Sequence, residues 1–144
     1  RRAPDGRLHA YVLADRSASG LRPLEWAERA VAAAREFGAG RIVAEANQGG
    51  EMVRQTLQTA GAACRVDLVY ARKGKRARAE PVSALYQQAR VHHCGVFEEL
   101  EEQLIAMGAG DKETDLDRAD ALVWAVDGLK LTPNVAPAPS IRRL

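Results

Sequence analysis

Short apolar segments alternate along this chain with longer segments whose apolar residues recur at three- and four-residue steps. The short segments have the length of strands, and the longer ones have the spacing of one helix face. The predicted strands are 8–14, 41–45, 66–70 and 91–93, and the predicted helices are 23–37, 51–59, 80–89, 97–107 and one that begins near 116. Strands that alternate with helices predict an α/β layered domain.

The chain has 144 residues, enough for one domain with its own core. We place that domain at residues 1–130 and expect an irregular, proline-rich tail at 131–144. No apolar run approaches the ~18 residues that a membrane span needs, and no signal-peptide pattern is visible, so a cytoplasmic location is expected. Cys64 and Cys94 lack the spacing of zinc or redox motifs and are expected to be reduced.

Three acidic residues are candidates for a metal site. Glu45 ends a predicted strand, and Asp117 and Asp120 are three residues apart at the start of the last predicted helix. Two-metal phosphodiester chemistry needs converging carboxylates, and oxygen ligands suit Mg²⁺ or Mn²⁺. Simpler roles are also open: Glu45 as a solvent-facing residue, Asp117 as a capping acid, and Asp120 as the partner of a nearby arginine.

A basic segment follows the predicted strand 66–70. It is read as a loop that leads into the helix opened by Glu80 and Pro81, and its five cationic residues are Arg72, Lys73, Lys75, Arg76 and Arg78. The loop is expected to face the same site as Glu45 and to bind DNA phosphates regardless of base sequence. The alternative is a solvated loop without a ligand, because 21 basic and 19 acidic residues leave a net charge of only +2.

No Walker phosphate loop and no glycine fingerprint after a strand occurs in the sequence, so no bound nucleotide is expected. An α/β hydrolase is also excluded, because the Gly-x-Ser-x-Gly nucleophile turn is missing.

Four segments, taken together and in this order, resemble the nuclease domain of phage and gene-transfer-agent large terminases. They are 12–17, 43–50, 73–82 and 117–125, and the likeness extends over about 6–129. The resemblance implies an RNase H-like fold, with a mixed sheet flanked by helices. It also implies an endonuclease that uses Mg²⁺ or Mn²⁺ to cut concatemeric double-stranded DNA during genome packaging in the bacterial host cytoplasm. Small terminase and portal would be partners of the full-length protein.

Residue by residue, the resemblance matches Glu45 to the family's acid at the end of the fourth strand and Asp117 to the acid that begins the final helix. Asp120 corresponds to a further acid of the related RuvC-type resolvases. The family's first-strand aspartate is expected upstream of a hairpin turn at Asp5-Gly6, and no residue matches it, since Asp15 ends a later strand.

Two other functions therefore stay open beside the terminase nuclease. A domain without the first-strand acid could bind DNA, or serve in assembly, without cutting it. A junction nuclease of the RuvC type would use the Asp117 and Asp120 pair, but the segments 43–50 and 73–82 favour the terminase.

Overall fold

The computed structural model describes residues 6–47, 49–110 and 115–131. In this part of the chain, four strands alternate with five helices. The strands are β1 (Ala10–Val12), β2 (Arg41–Glu45), β3 (Arg65–Val69) and β4 (Val91–His93). The helices are α1 (Pro23–Glu36), α2 (Gly50–Thr59), α3 (Lys75–Gln87), α4 (Glu98–Ala109) and α5 (Asp117–Gly128). The predicted α/β class is confirmed.

The strands form two parallel pairs. In one pair Ala10 of β1 lies opposite Val91 of β4, and in the other Arg41 of β2 lies opposite Arg65 of β3. The expected mixed sheet therefore appears, within the described residues, as two separate parallel pairs. Parallel strands need a crossover connection, and α2 provides it between β2 and β3.

Strand β1 pairs with the late strand β4, and the hairpin turn predicted before β1 stays a prediction. Asp5 of that turn lies outside the described residues. Strand β1 is also shorter than the predicted 8–14, since its ladder extends only as far as the three residues of its partner.

Two hydrophobic clusters lie on the two strand pairs. Strands β1 and β4 pack against α3, α4 and α5, and the buried residues there include Val12, Leu85 and Val123. Strands β2 and β3 pack against α1 and α2 through Leu57 and Val66.

Helix α5 belongs to the first cluster but also contacts the second strand pair. A side chain at Gly128 would come within 3.3 Å of Val43 in β2, so the absence of a Cβ permits this approach. The Arg41 side chain of β2 donates a hydrogen bond to the Gly128 carbonyl. Helix α5 is therefore the element that joins the two strand pairs.

The prediction that a helix begins at Glu80 and Pro81 is wrong, because α3 begins at Lys75 and Pro81 lies inside it. Proline favours helix starts, but here its missing N–H is tolerated within the helix. The earlier start is stabilised by side-chain pairs with α5 that the local sequence does not reveal. Consequently Lys75, Arg76 and Arg78 of the predicted basic loop lie on a helix.

The tail predicted at 131–144 lies outside the described residues except for Leu131, which is buried and whose carbonyl accepts a hydrogen bond from Arg90. Within 6–47, 49–110 and 115–131, no helix has the length and apolar character that crossing a membrane requires. Cys64 is half-buried and Cys94 exposed, and both are free thiols.

Replacing Leu57 with alanine should lower the free energy of unfolding by about 2–5 kcal/mol, because this fully buried side chain fills the second cluster. Met52→Ala on the same helix is the control, since Met52 is exposed. Urea denaturation followed by circular dichroism measures both variants. Equal losses would contradict a core centred on Leu57.

Candidate functional site

Glu45, the last residue of β2, has both carboxylate oxygens held by side chains. Asn47 Nδ2 donates to Oε1 at 2.6 Å, and Trp124 Nε1 of α5 donates to Oε2 at 3.0 Å. The Asn47 carbonyl oxygen in turn accepts the Ala71 backbone N–H at 2.7 Å, just after β3. Glu45 is thus fixed at the carboxyl ends of β2 and β3, where ligands collect in open α/β sheets.

Asp120 lies in the first turn of α5 and forms a buried ion pair with Arg78 of α3. Arg78 Nη2 is 2.6 Å from Asp120 Oδ2, and the two side chains are 11% and 6% exposed. The same Nη2 atom is 4.0 Å from Glu45 Oε2. One guanidinium therefore lies between the carboxylates of Glu45 and Asp120.

Trp124 connects these three charged groups. It follows Asp120 by four residues, so both side chains lie on one face of α5. Its ring lies under the guanidinium of Arg78, with Cζ 4.9 Å from the ring centroid. The ring thus supports the cation while its N–H supports Glu45.

Two polar atoms of the buried ion pair lack a hydrogen-bond partner among the described residues. They are Asp120 Oδ1 and Arg78 Nε. A buried carboxylate oxygen without a partner loses its solvation without compensation. Asp120 Oδ1 is therefore an oxygen that a divalent cation would satisfy, and the oxygen chemistry of Glu45 and Asp120 fits Mg²⁺ or Mn²⁺.

Asp117 begins α5 and is largely exposed. Its Oδ1 atom is 2.5 Å from Nζ of Lys75, and its backbone N–H donates to Asp115 Oδ1 at 3.1 Å. The hydrogen bond from Lys75 to Asp117 is the main reason that the pKa of Lys75 is raised; burial opposes it, and the negative charges of Asp117, Asp120 and Asp115 add smaller increases. Lys75 is therefore held firmly as a cation.

The three predicted acids are thus arranged in two groups. Glu45 and Asp120 meet around Arg78, whereas Asp117 pairs with Lys75 at the start of α5. Within the described residues, no cluster of three or more His, Cys, Asp or Glu side chains has a geometry that could hold a metal ion. The cations Arg78 and Lys75 of α3 lie against these carboxylates.

The five predicted basic residues also divide by position. Arg72 and Lys73 are exposed on the connection before α3, and Arg76 is half-buried on the helix. Lys75 and Arg78 are engaged with the acids of α5. The start of α3 and the start of α5 therefore lie side by side, so the free backbone N–H groups of both helix N-termini are close together.

Four residues of this region were not identified as site residues from the sequence: Asn47, Trp124, Asp15 and Arg118. Asn47 and Trp124 orient Glu45, and the spacing of Trp124 from Asp120 is the signal that could have placed it on the same helix face. Asp15 accepts a hydrogen bond from Arg118 Nη1 at 2.8 Å and so fastens the segment after β1 to the start of α5. No local pattern indicates that contact, because the two residues are far apart in the chain.

The family model for the terminase RNase H-like domain matches residues 7–128. The chain belongs to this family. The match covers all nine described helices and strands, and RNase H-like nuclease domains generally use divalent metal ions. Searches of curated proteins and of solved structures returned no significant match.

Asp15→Asn should destabilise the domain by up to about 1 kcal/mol at pH 7. Burial raises the pKa of Asp15, but the hydrogen bonds from Ser17 and Arg118 together lower it by more, so the pKa lies below its usual 3.8. A carboxyl group with a depressed pKa stabilises the fold above its unfolded pKa and loses that contribution as pH falls through the folded value. The difference between the variant and the native chain should therefore shrink below pH 3.8.

Denaturant unfolding between pH 7 and pH 3 measures this difference. Asp127→Asn is the control, because Asp127 is exposed and lies 3.7 Å from Lys130. A difference that stays constant over the whole range would contradict the role given to Asp15.

Proposed function

We propose that this chain is a metal-dependent DNA endonuclease domain of a large terminase, cutting concatemeric DNA during genome packaging. The observation that carries the proposal is the convergence of Glu45 and Asp120 on one cationic group at the carboxyl ends of β2 and β3. Two elements far apart in sequence thereby bring two carboxylates to one point, as hydrolysis of a phosphodiester by divalent ions requires.

In this proposal Glu45, Asp117 and Asp120 hold the divalent ions, Mg²⁺ or Mn²⁺. When bound, the ions would supply an activated water and stabilise the charge that develops on the phosphate. Asn47 and Trp124 keep the Glu45 carboxylate in one orientation through its two oxygens. Such orientation by neighbouring groups raises metal affinity, and its loss typically costs about 10–100-fold.

The family's first-strand aspartate has no counterpart among the described residues, and we propose that an upstream strand supplies it. Within 6–47, 49–110 and 115–131, β1 pairs only with β4, and β2 pairs only with β3. Each of β1 and β2 therefore has one edge to which a further strand would add by backbone hydrogen bonds.

Double-stranded DNA would approach the end of the molecule where α3 and α5 begin. Arg72 and Lys73 are exposed there, and helix N-termini favour phosphate. These contacts carry no base readout, so sequence preference would be slight. Small terminase and portal would be contacted through the full-length protein in the host cytoplasm.

A second candidate is a DNA-binding or assembly module of the same fold that does not cut. The pairing of Arg78 with Asp120 and of Lys75 with Asp117 favours it, because these cations already neutralise the acids that would hold the metal. A junction nuclease of the RuvC type would share the acids of α5 but would require a four-way substrate.

Incubation of the chain with supercoiled plasmid and Mg²⁺ or Mn²⁺ distinguishes these candidates. Glu45→Gln and Asp120→Asn should each reduce nicking at least about 100-fold, because ligands of a shared metal site act as a unit. Asp127→Asn is the matched control on α5, and its nicking should equal that of the native chain. EDTA should abolish the activity.

Nicking that persists in Glu45→Gln and Asp120→Asn would overturn the proposed site. A native chain that retards DNA but does not nick it would establish the binding module instead. Preferential cutting of four-way junctions over plasmid would favour the resolvase.

Lys73→Gln should weaken binding to duplex DNA of any sequence and reduce the slope of log affinity against log salt by about 1, as expected when one phosphate contact is lost. Arg65→Gln is the control, because Arg65 lies at the opposite end of β3 and pairs with Asp67. Fluorescence anisotropy at several salt concentrations measures both. An equal change in the two slopes would rule out a localised DNA surface.

A further inference from the structure

We propose that Arg78 and a divalent metal ion compete for the carboxylates of Glu45 and Asp120, so that Arg78 holds the two acids together in the metal-free protein and sets the metal affinity. This inference rests on the proposed function, because it concerns the same metal site. It adds that a basic residue of this chain opposes metal binding.

The position of the guanidinium is the first support. Arg78 Nη2 contacts Asp120 Oδ2 at 2.6 Å and lies 4.0 Å from Glu45 Oε2. A Mg²⁺ ion bound by these oxygens would lie about 2.0–2.1 Å from each of them. The guanidinium and the ion would therefore overlap in space and repel each other, so the site can hold only one of them in this geometry.

The hydrogen bonding of Arg78 is the second support. Its Nη1 atom donates to the Lys73 carbonyl at 2.6 Å and its Nη2 to Asp120, but its Nε has no partner among the described residues. Asp120 Oδ1 is likewise without a partner there. The ion pair thus leaves a donor and an acceptor unsatisfied, which makes it replaceable by a ligand that satisfies the carboxylate more fully.

The third support is the way in which the backbone and the neighbouring side chains position Arg78 and the two carboxylates. Asn47 and Trp124 hold the Glu45 carboxylate independently of Arg78, whereas Asp120 is carried on helix α5 and its carboxylate accepts a hydrogen bond from Arg78. Arg78, in contrast, reaches the site on a long flexible side chain from near the start of α3. Displacement of Arg78 would therefore leave Glu45 oriented by its own partners and free Asp120 Oδ2 for the metal.

Trp124 provides a direct readout of this exchange, because its ring contacts the Arg78 guanidinium and its N–H contacts Glu45. The other tryptophan, Trp26, belongs to the second hydrophobic cluster. In a Trp26→Phe background, Trp124 fluorescence thus reports on the site alone. Isothermal titration calorimetry with Mg²⁺ gives an independent affinity.

In the full chain, Arg78→Gln should bind Mg²⁺ at least about 10-fold more tightly than the native protein, since the competing charge is gone. It should also melt at a lower temperature without metal, because Asp120 loses its partner, and gain more than the native chain when Mg²⁺ is added. Arg72→Gln removes one charge from the exposed connection and should change the affinity less than about 2-fold. Arg78→Lys keeps the positive charge but fits the site less well, so it should bind Mg²⁺ with intermediate affinity. This variant replaces Arg78→Gln in the test if Arg78→Gln does not fold.

If Arg78→Gln binds Mg²⁺ no more tightly than the native chain, the proposed competition is wrong. If Asp120→Asn abolishes Mg²⁺ binding in the same experiment, the metal site itself still stands. Mg²⁺ binding by neither the native chain nor Arg78→Gln would overturn the metal site itself and the competition with it. A merely structural role of Arg78 predicts weaker binding on its removal, so tighter binding is specific to competition.

Discussion

The buried ion pair between Arg78 and Asp120 is the interaction on which the site depends. It joins the start of α3 to the start of α5, and α5 is the element that contacts both strand pairs. Removing one partner of such a pair leaves an uncompensated buried charge, which typically costs about 3–5 kcal/mol. The pair therefore sets the position of Asp120 relative to Glu45 and, with it, the shape of the candidate metal site.

The positive charges at the start of α3 are opposite in sign to those that the helix dipole favours at a helix N-terminus. Cations at a helix N-terminus are unfavourable, whereas acids there are stabilised. Lys75 and Arg78 lie near the start of α3, and Asp117 and Asp120 lie in the first turn of α5. The acids of α5 compensate for the cations of α3, so each of the two helix starts stabilises the other. This mutual dependence brings basic and acidic groups to one end of the domain.

Carboxylates held close together without a counter-charge would repel each other and raise their own pKa values. A cationic side chain between Glu45 and Asp120 avoids that repulsion, and the ring of Trp124 supports it. The same arrangement is compatible with a DNA-binding module and with a nuclease, because function depends on the site and not on the fold.

The sequence determined the class of fold and predicted Glu45, Asp117 and Asp120 as candidate site residues, of which the fold brings Glu45 and Asp120 to one guanidinium. Short apolar runs of strand length alternate along the chain with segments whose apolar residues have helical spacing, and this order predicts the α/β class. The pattern is visible locally because each element buries one face. The strand end at Glu45 and the three-residue spacing of Asp117 and Asp120 are local features too. The true start of α3, the separation of the strands into two pairs, and the contacts of Trp124 and Asp15 were decided only by tertiary structure. Each of them depends on side chains from distant segments, such as Lys75 with Asp117 or Asp15 with Arg118, and no local periodicity encodes which distant charge a residue will meet.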